Sequence, residues 1–220
     1  ITIPSSVISV GNYAFRDCTW LVEINFNARN MSNLSRDNNV FSNVGKSSEG
    51  IVVNIGSNVT RIPACLFYSS STNSSYSPNI ISLNYADDSQ CTEIGTYAFR
   101  NCSSLASITI PSSVTNVGNY AFYDCTGLTE INFDATNMSD LSSNNYVFAY
   151  AGNDSSGTVV NVGTHVTRIP AYLFCPGSSS YSPNIKSVNF SEGSQCTEIG
   201  SYAFYRCNSL ANLAIPESLT

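Results

Sequence analysis

Charged residues are scarce in this chain. Asp, Glu, Lys and Arg together make up 11% of its 220 residues, against roughly 25% in ordinary soluble domains. Hydrophobic residues still reach 42%, so a core can form, and Asn, Ser and Thr must supply the solubility. This balance favours an extracellular or surface protein over a cytosolic enzyme.

Basic clusters and long apolar runs are also missing. Nine Lys and Arg residues stand against fifteen Asp and Glu, a net charge of −6, and no segment concentrates the cations. Nucleic acids and anionic membranes are bound through such clusters, so neither is an expected partner. No apolar run approaches the ~18–20 residues of a membrane span, so we expect no membrane insertion.

Catalytic and metal-binding patterns are equally hard to find. The single histidine, His165, aligns with Asn58 in the internal repeat described below, so we expect it on the surface. The cysteines form no CxxC pair of the kind that binds zinc. Glu23 and Glu130 would lie ~19 Å apart in stacked strands, too far for an acid–base pair, which works within ~10 Å. We therefore expect neither an enzyme nor a metal or cofactor.

The chain contains a long internal repeat. Residues 1–107 begin with Ile-Thr-Ile-Pro-Ser-Ser-Val, and the same seven residues return at 108–114. Phe41 recurs as Phe148 and, after a two-residue deletion, Cys91 recurs as Cys196. Repeats of this kind build their core between neighbouring copies. We predict a single solenoid over residues 1–220, with long units 1–107 and 108–212 and the start of a further coil at 213–220, as a fragment of a longer array.

Each long unit contains four shorter copies. Of the eight copies in the whole chain, four carry a cysteine and four are degenerate. Their spacing lies mostly in the band of 20–29 residues that is typical of leucine-rich repeats. Two longer spacings carry the Ser-rich insertions 69–77 and 176–182, which we interpret as loops. The copies are marked by eight phenylalanines, Phe15, Phe41, Phe67, Phe99, Phe122, Phe148, Phe174 and Phe204.

One copy predicts one coil of the solenoid. Ile24 and Phe26 alternate with polar residues, which is the period of a strand. Ala14, Phe15 and Cys18 lie three and four residues apart, which indicates a short helical turn. We therefore expect an α/β solenoid, a superhelix of about eight coils with a parallel β-sheet on the concave face and short helices or turns on the convex face.

The best-preserved copies resemble a known family. The string Ile-Pro-Ser-Ser-Val-x-x-Val-Gly-Asn-Tyr-Ala-Phe-x-x-Cys-x-x-Leu, over residues 110–128, is similar to the BspA-type leucine-rich repeat. The resemblance covers essentially the whole chain and implies a curved solenoid, secretion, and display on bacteria or parasitic protists. Members are usually described as adhesins or as host- and matrix-binding proteins, and the family has no catalytic motif.

The outward positions of the predicted strands are the candidate ligand-binding surface, because the strand side of such a solenoid forms a continuous concave face. Six of the eight residues that lie between the inward apolar pairs are Asn. A second outward row precedes them in each strand. The candidates are Glu23, Asn25, Asn54, Ser82, Asn84, Thr109, Glu130, Asn132, Asn161, Ser187 and Asn189.

Two interpretations of the asparagine row remain open. Stacked amides can hydrogen-bond along a sheet and so serve the structure alone. A polar, uncharged face also suits glycans or extended peptides, although the shortage of aromatic residues in these rows weakens the sugar-binding version.

The cysteines point to a buried role. Cys18, Cys102, Cys125 and Cys207 share one position of the repeat, and Cys91 and Cys196 replace Val7 and Val114, so we predict six buried free thiols. Cys18 and Cys102 would lie ~14 Å apart, beyond disulfide reach, whereas Cys102 and Cys125 are in adjacent coils and the spacing allows a bond. Cys65 and Cys175 break the repeat, and we expect both to be partly exposed. Trp20 either packs on the convex side or offers an exposed contact.

The leading functional hypothesis is a non-enzymatic surface or secreted module that binds an extracellular protein or glycan through the concave sheet or the Ser-rich loops. The alternative is a structural spacer, stalk or filament, built by end-to-end self-association of coils whose ends would otherwise expose core residues.

Overall fold

The computed structural model describes residues 1–69, 76–175 and 181–219. Within them, fourteen short strands form three parallel sheets, of nine, three and two strands. The chain is therefore a solenoid of stacked parallel strands, as predicted. The strands are β1 Thr2–Ile3, β2 Glu23–Phe26, β3 Ile51–Ile55, β4 Arg61–Ile62, β5 Ile80–Tyr85, β6 Glu93–Ile94, β7 Ser107–Ile110, β8 Asn116–Val117, β9 Glu130–Phe133, β10 Thr158–Val162, β11 Arg168–Ile169, β12 Ile185–Phe190, β13 Glu198–Ile199 and β14 Asn212–Leu213. The large sheet has the order β1, β2, β3, β5, β7, β9, β10, β12, β14, the second sheet contains β4, β6 and β8, and the third contains β11 and β13.

The alternation of apolar and polar residues sets the register of the large sheet. Ile24 pairs with Val53 and Phe26 with Ile55, and all four side chains are buried. Burial of each such side chain stabilises the fold by about 1.5–3 kcal/mol. A shift by one residue would move the whole apolar set to solvent, so the same register recurs from coil to coil.

A continuous stack of phenylalanine rings forms the centre of the core. The eight phenylalanines of the predicted repeat follow one another with ring centroids 5.1 to 5.5 Å apart, from Phe15–Phe41 to Phe174–Phe204. Contacts of this kind contribute about 0.5–1.5 kcal/mol per pair beyond the area they bury. The stack therefore ties each coil to the next along the whole array.

The side opposite the large sheet, here called the turn side, is built from turns. The described residues contain no α-helix, so the short helices of the prediction are wrong and its alternative, turns, is correct. Over the segment where the spacing predicted a helical turn, Ala14 N–H donates to Gly11 O at 3.3 Å and Cys18 N–H to Phe15 O at 3.2 Å. Tyr13 has a φ of 58° and Asp17 a φ of 62°, and a right-handed helix cannot continue through left-handed residues.

Hydrogen bonds between coils explain these left-handed residues. Tyr13, Phe15 and Asp17 each donate an N–H to the following coil, at Asn38 O, Val40 O and Ser42 O, over 2.8 to 3.0 Å. A left-handed residue other than glycine costs roughly 1–2 kcal/mol, which the bonds between coils offset. The same two positions are left-handed in later coils, at Tyr97 and Asn101, Tyr120 and Asp124, and Tyr202 and Arg206.

Glycine precedes the turn in the best-preserved copies, and at Gly95 and Gly118 the backbone of the neighbouring coil approaches closely. A Cβ at Gly95 would collide with the backbone of Ala64, and one at Gly118 with the backbone of Thr96. Neither glycine has a positive φ. The requirement at this position is therefore the absence of a side chain rather than conformational freedom.

All eight cysteines are free thiols, including Cys102 and Cys125. Five of the six predicted to be buried are so, but Cys18 is exposed, because the first coil is packed by only one neighbouring coil. The expected partial exposure of Cys65 and Cys175 is also wrong, since each is only 4% exposed. Most other coils carry longer side chains at these two positions, and the short cysteines are covered by neighbouring residues. For Cys65, the nearby residues include Arg36 and Arg100.

Candidate binding surface on the large sheet

Two ladders of asparagine side chains run across the large sheet. In the first, Asn54 Nδ2 donates to Asn25 Oδ1 at 2.8 Å and Asn84 Nδ2 to Asn54 Oδ1 at 3.1 Å. In the second, Asn161 Nδ2 donates to Asn132 Oδ1 at 3.0 Å and Asn189 Nδ2 to Asn161 Oδ1 at 3.2 Å. The backbone register places these residues directly opposite one another.

The remaining candidate residues support or separate the ladders. Glu23 accepts from Asn25 Nδ2 at 3.2 Å and from Asn54 Nδ2 at 3.1 Å, and Glu130 accepts from Asn161 Nδ2 at 2.9 Å. Ser82 Oγ donates to Asn84 Oδ1 at 3.0 Å. Thr109 pairs with Asn132 in the backbone register and separates the two ladders, and Ser187 lies opposite Asn212.

The ladders leave hydrogen-bonding capacity on the surface. A primary amide has two N–H donors and an oxygen with two lone pairs. In the middle of a ladder, one N–H and one lone pair are used by the neighbouring amides. Asn84 and Asn189, at the last position of each ladder, are exposed. Asn54 and Asn161, in the middle of the ladders, give their second N–H to Glu23 and Glu130. The sheet therefore offers an unused lone pair on each ladder amide, one coil apart at a spacing of about 4.8 Å, and, among the described residues, an unused N–H at the last position of each ladder.

A groove of about 420 Å³ lies over the first ladder. It is lined by Thr2, Asn25, Asn27, Asn54, Ile55, Gly56, Asn84, Tyr85 and Ala86. An adjoining depression of about 550 Å³ shares Thr2, Asn27 and Gly56, and there Arg29 Nη2 donates to Asn58 Oδ1 at 2.5 Å. Three of the predicted residues thus meet in one groove, here called the amide groove.

Sequence reasoning missed the residues just beyond the strands. Asn27 follows β2 and Gly56 follows β3, and a Cβ at Gly56 would collide with Asn27 Oδ1. The glycine therefore makes room for the amide. A signal existed in the sequence, because the same pair returns one long unit later as Asp134 and Gly163, with the same close approach.

The second long unit carries a different edge beside its ladder. Asp134, Thr136 and His165 stand where the first unit has Asn27, Arg29 and Asn58. Partial burial raises the pKa of the Asp134 carboxyl, and His165 is exposed, as predicted. The two units therefore present similar amide ladders with unlike surroundings.

The buried thiols are poorly suited to nucleophilic chemistry. Burial raises the pKa of Cys91 to about 11 and that of Cys207 to about 12, and the reactive form of cysteine is the thiolate. Among the described residues, no group of three or more His, Cys, Asp or Glu side chains could hold a metal ion. The same residues include no helix with the length and apolarity required to cross a bilayer.

The Ser-rich insertions can be described only at their edges. Residues 70–75 and 176–180 lie outside the described residues, so the expected loop contribution to binding has no structural account. At the edges of the first insertion, Ser42 Oγ donates to Tyr76 O at 3.1 Å, and Ser69 O accepts from Asn101 Nδ2 at 3.2 Å. These bonds connect the described edges to the neighbouring coils.

Comparison with protein families gives one match that covers the chain. The model of the BspA type leucine rich repeat region matches six copies, over residues 1–87, 75–179 and 167–220. This count is lower than the prediction of about eight coils, which is therefore slightly too high. No curated protein sequence matches the chain.

Several solved structures are similar to this chain. The pneumococcal vaccine antigen PcpA is 19% identical over 99% of this chain and 60% of its own length, with a TM-score of 0.44. A leucine rich cell surface protein from Faecalibacterium prausnitzii is 20% identical over 100% and 73%, with a TM-score of 0.38. A leucine-rich repeat protein from Eubacterium ventriosum is 23% identical over 100% and 62%, with a TM-score of 0.39. The chain thus spans about 60% of the length of PcpA.

Proposed function

Because the chain belongs to the family of BspA-type leucine-rich repeat proteins, we propose that it is a non-enzymatic binding module of a surface or secreted protein. In this proposal the amide groove on the sheet binds an extracellular glycan or protein. The observation that carries it is the row of partly used amides at Asn25, Asn54 and Asn84, which line one groove of about 420 Å³. Amides that already bond one another are held in place, so little side-chain entropy is lost when a ligand binds.

The chemistry of the groove favours a neutral, polar ligand with a repeating arrangement of groups. The carboxylate of Glu23 already accepts hydrogen bonds from the first ladder, and the lining residues of the groove include no lysine or arginine. Glycan hydroxyl groups can both donate to and accept from an amide. We therefore rank a neutral glycan above a charged ligand for this groove.

A binding screen tests the proposal. The soluble chain is applied to an array of neutral and acidic glycans and to immobilised matrix proteins. We expect at least one neutral glycan or protein to bind, with an affinity that changes little between 50 and 500 mM salt, because uncharged hydrogen bonds are not screened. A correctly folded chain that binds nothing on the array would contradict the proposal.

A second candidate is a structural role through end-to-end association. The apolar side chains of Trp20 and Val22, which are 78% and 58% exposed, offer the contact on which this candidate rests. Light scattering against concentration distinguishes the two candidates. An apparent mass that rises with concentration, and that no longer rises in Val22→Glu but still does in Ile81→Glu, a change in a middle coil, supports association. A strictly monomeric chain would rule this candidate out.

A further inference from the structure

Tyrosine rings surround Arg100 on the turn side, away from the amide groove. Tyr97, Tyr120 and Tyr146, from three consecutive coils, stack with centroids 5.0 Å apart and interplanar angles of 13° and 14°. The guanidinium carbon of Arg100 lies 4.6 Å from the ring centroid of Tyr123 and 5.4 Å from that of Tyr97. The rings of Tyr68 and Tyr120 follow at 5.7 and 5.8 Å.

Arg100 has rings around it but lacks acceptors. Its Nε is buried and makes no hydrogen bond among the described residues, and within that part of the chain the side chain forms no ion pair. Ring faces attract the charge, but a guanidinium carries five N–H donors that need oxygen acceptors. A buried donor without an acceptor costs free energy. The terminal Nη groups of Arg100 are not among the buried atoms, and they are the donors that a ligand oxygen can reach.

A second cation reaches the same rings. The guanidinium carbon of Arg36, on an exposed side chain, lies 5.7 Å from the ring centroid of Tyr97. Two of the nine basic residues of a chain with a net charge of −6 therefore meet at one ring. The Arg100 cluster is defined as Arg36, Tyr68, Tyr97, Arg100, Tyr120 and Tyr123.

Arg16 is a natural comparison, because it occupies the position of Arg100 in the first coil. Its guanidinium carbon lies 5.3 Å from the ring of Tyr13, but its Nε already faces Asp17 at 3.5 Å. For Arg100 the nearby carboxylate is Asp124. Burial raises the pKa of Asp124 and Arg100 lowers it, yet the two form no ion pair. Of these two arginines, Arg100 is the one that combines several rings with no ion pair among the described residues.

The backbone around the cluster is already occupied. Tyr97 N–H donates to Asn119 O at 3.0 Å and Tyr120 N–H to Asn145 O at 2.7 Å, so these residues offer no free donor to the main chain of a bound peptide. The surface presents guanidinium N–H groups and phenol hydroxyls instead. Carboxylates and sugar hydroxyls are the partners that such groups pair with.

We propose that the Arg100 cluster binds the carboxylate group of an acidic glycan. The planar fork of Arg100 matches a carboxylate in geometry, Arg36 adds charge at the rim, and the tyrosine hydroxyls bond the sugar hydroxyls beside it. An acidic peptide is the less favoured ligand, since the N–H groups of Tyr97 and Tyr120 are already bonded and cannot pair with its main chain. The site lies on the opposite side from the amide groove and does not depend on the function proposed for it.

Calorimetric titration with hyaluronan oligosaccharides, which carry one glucuronate in each disaccharide, tests the proposal. We expect Arg100→Gln to weaken binding about tenfold or more, because a hydrogen bond to a charged group contributes ~1.5–3 kcal/mol. Arg100→Lys keeps the charge but not the planar fork, so its affinity should lie between those of the parent chain and Arg100→Gln. Arg16→Gln is the matched control and should leave the affinity unchanged.

Further arms keep the test decisive. Arg36→Gln alters an exposed side chain and should weaken binding severalfold without affecting folding, so the result does not rest on Arg100 alone. Equal binding of neutral dextran, tighter binding of a poly-glutamate peptide, binding restricted to sulfated heparin, or an equal loss in Arg16→Gln would each overturn the proposal. So would failure of the folded chain to bind any hyaluronan oligosaccharide.

Discussion

At the scale of single residues, asparagine serves the stack and remains available to a ligand. Each ladder amide uses one donor or acceptor toward each neighbouring amide, and Asn54 and Asn161 give their second N–H to a glutamate. What remains for a ligand is the second lone pair of each amide oxygen and the free N–H of Asn84 and Asn189 at the ladder ends. A threonine or serine has one hydroxyl proton and could not both bond its neighbour and donate outward. The two interpretations of the asparagine row are therefore compatible, since its structural part follows from the bonds and its binding part is what we propose.

Tyr85 carries the least favourable polar atom of the large sheet. Its hydroxyl is buried without a hydrogen-bond partner among the described residues, and burial raises its pKa well above the usual range. The equivalent residue of the second long unit is Phe190, which has no hydroxyl to satisfy. We predict that Tyr85→Phe raises the free energy of unfolding in urea by about 1 kcal/mol, because an unsatisfied buried polar group costs about 1–3 kcal/mol.

Phe190→Tyr is the matched reverse change. It should lower the free energy of unfolding by a similar amount, since it adds the hydroxyl at the equivalent position. If Tyr85→Phe were instead less stable than the parent, the Tyr85 hydroxyl would have a partner in solution, and the interpretation would be wrong.

At the scale of elements, the strands of the large sheet followed from the sequence, whereas the two small sheets and the choice of turns over short helices did not. Alternating apolar residues predicted both the strands and their register, because burial on one face decides them. The spacing of Ala14, Phe15 and Cys18 fits a helix and a succession of tight turns equally well. Hydrogen bonds to the next coil favour the turns, and such bonds cannot be inferred from the residues of one coil alone.

An arginine joins three coils beside the sheet that contains β11 and β13. Arg168 Nη2 donates to Asp140 Oδ1 at 2.6 Å and to Glu198 Oε1 at 3.2 Å, and Asp140 also accepts from Ala171 N–H at 2.8 Å. The hydrogen bond from Ala171 and the neighbouring Arg168 lower the pKa of Asp140. In the first unit the same place holds Arg61 with Asn33, which accepts from Ala64 N–H at 2.9 Å.

This difference predicts how the two units respond to acid. A carboxyl with a lowered pKa stabilises the folded state above its unfolded pKa of ~3.9, and that stabilisation is lost as the pH falls through the lower folded value. Asp140→Asn should therefore flatten the fall of the melting temperature below pH 4, while changing it little at pH 7, because exposed ion pairs contribute only ~0–1 kcal/mol.

Asn33→Asp is the converse variant and should steepen the fall of the melting temperature below pH 4. The two variants are compared by thermal unfolding monitored by circular dichroism at pH 2 to 7. Identical acid profiles for the parent, Asp140→Asn and Asn33→Asp would show that this carboxylate has no part in acid stability.

At the scale of the whole molecule, the repeat made most of the architecture predictable. The eight phenylalanines and the asparagine row were read from spacing, and in the structure they form one ring stack and two amide ladders. The Arg100 cluster was not foreseen, because no single segment is basic and its members come from several coils. The signal was nevertheless present, since Tyr97, Tyr120 and Tyr146 each lie two residues before the marking phenylalanine of consecutive copies.

Differences between the long units, rather than their common pattern, separate the proposed binding function from the structural role of the ladders. Both units have an amide ladder, but the groove described above lies over the ladder of the first unit. Removal of either ladder should cost similar stability. Removal of the first ladder alone should affect a ligand that binds in the amide groove.

The most direct test therefore compares two triple variants, Asn25→Ala with Asn54→Ala and Asn84→Ala, and Asn132→Ala with Asn161→Ala and Asn189→Ala. Each is titrated with the best ligand from the array and melted in parallel. We predict similar decreases in melting temperature and a loss of binding in the first variant only. Unchanged binding in the first variant, with a lower melting temperature in both, would contradict the proposed role of the amide groove and leave the ladders as purely structural.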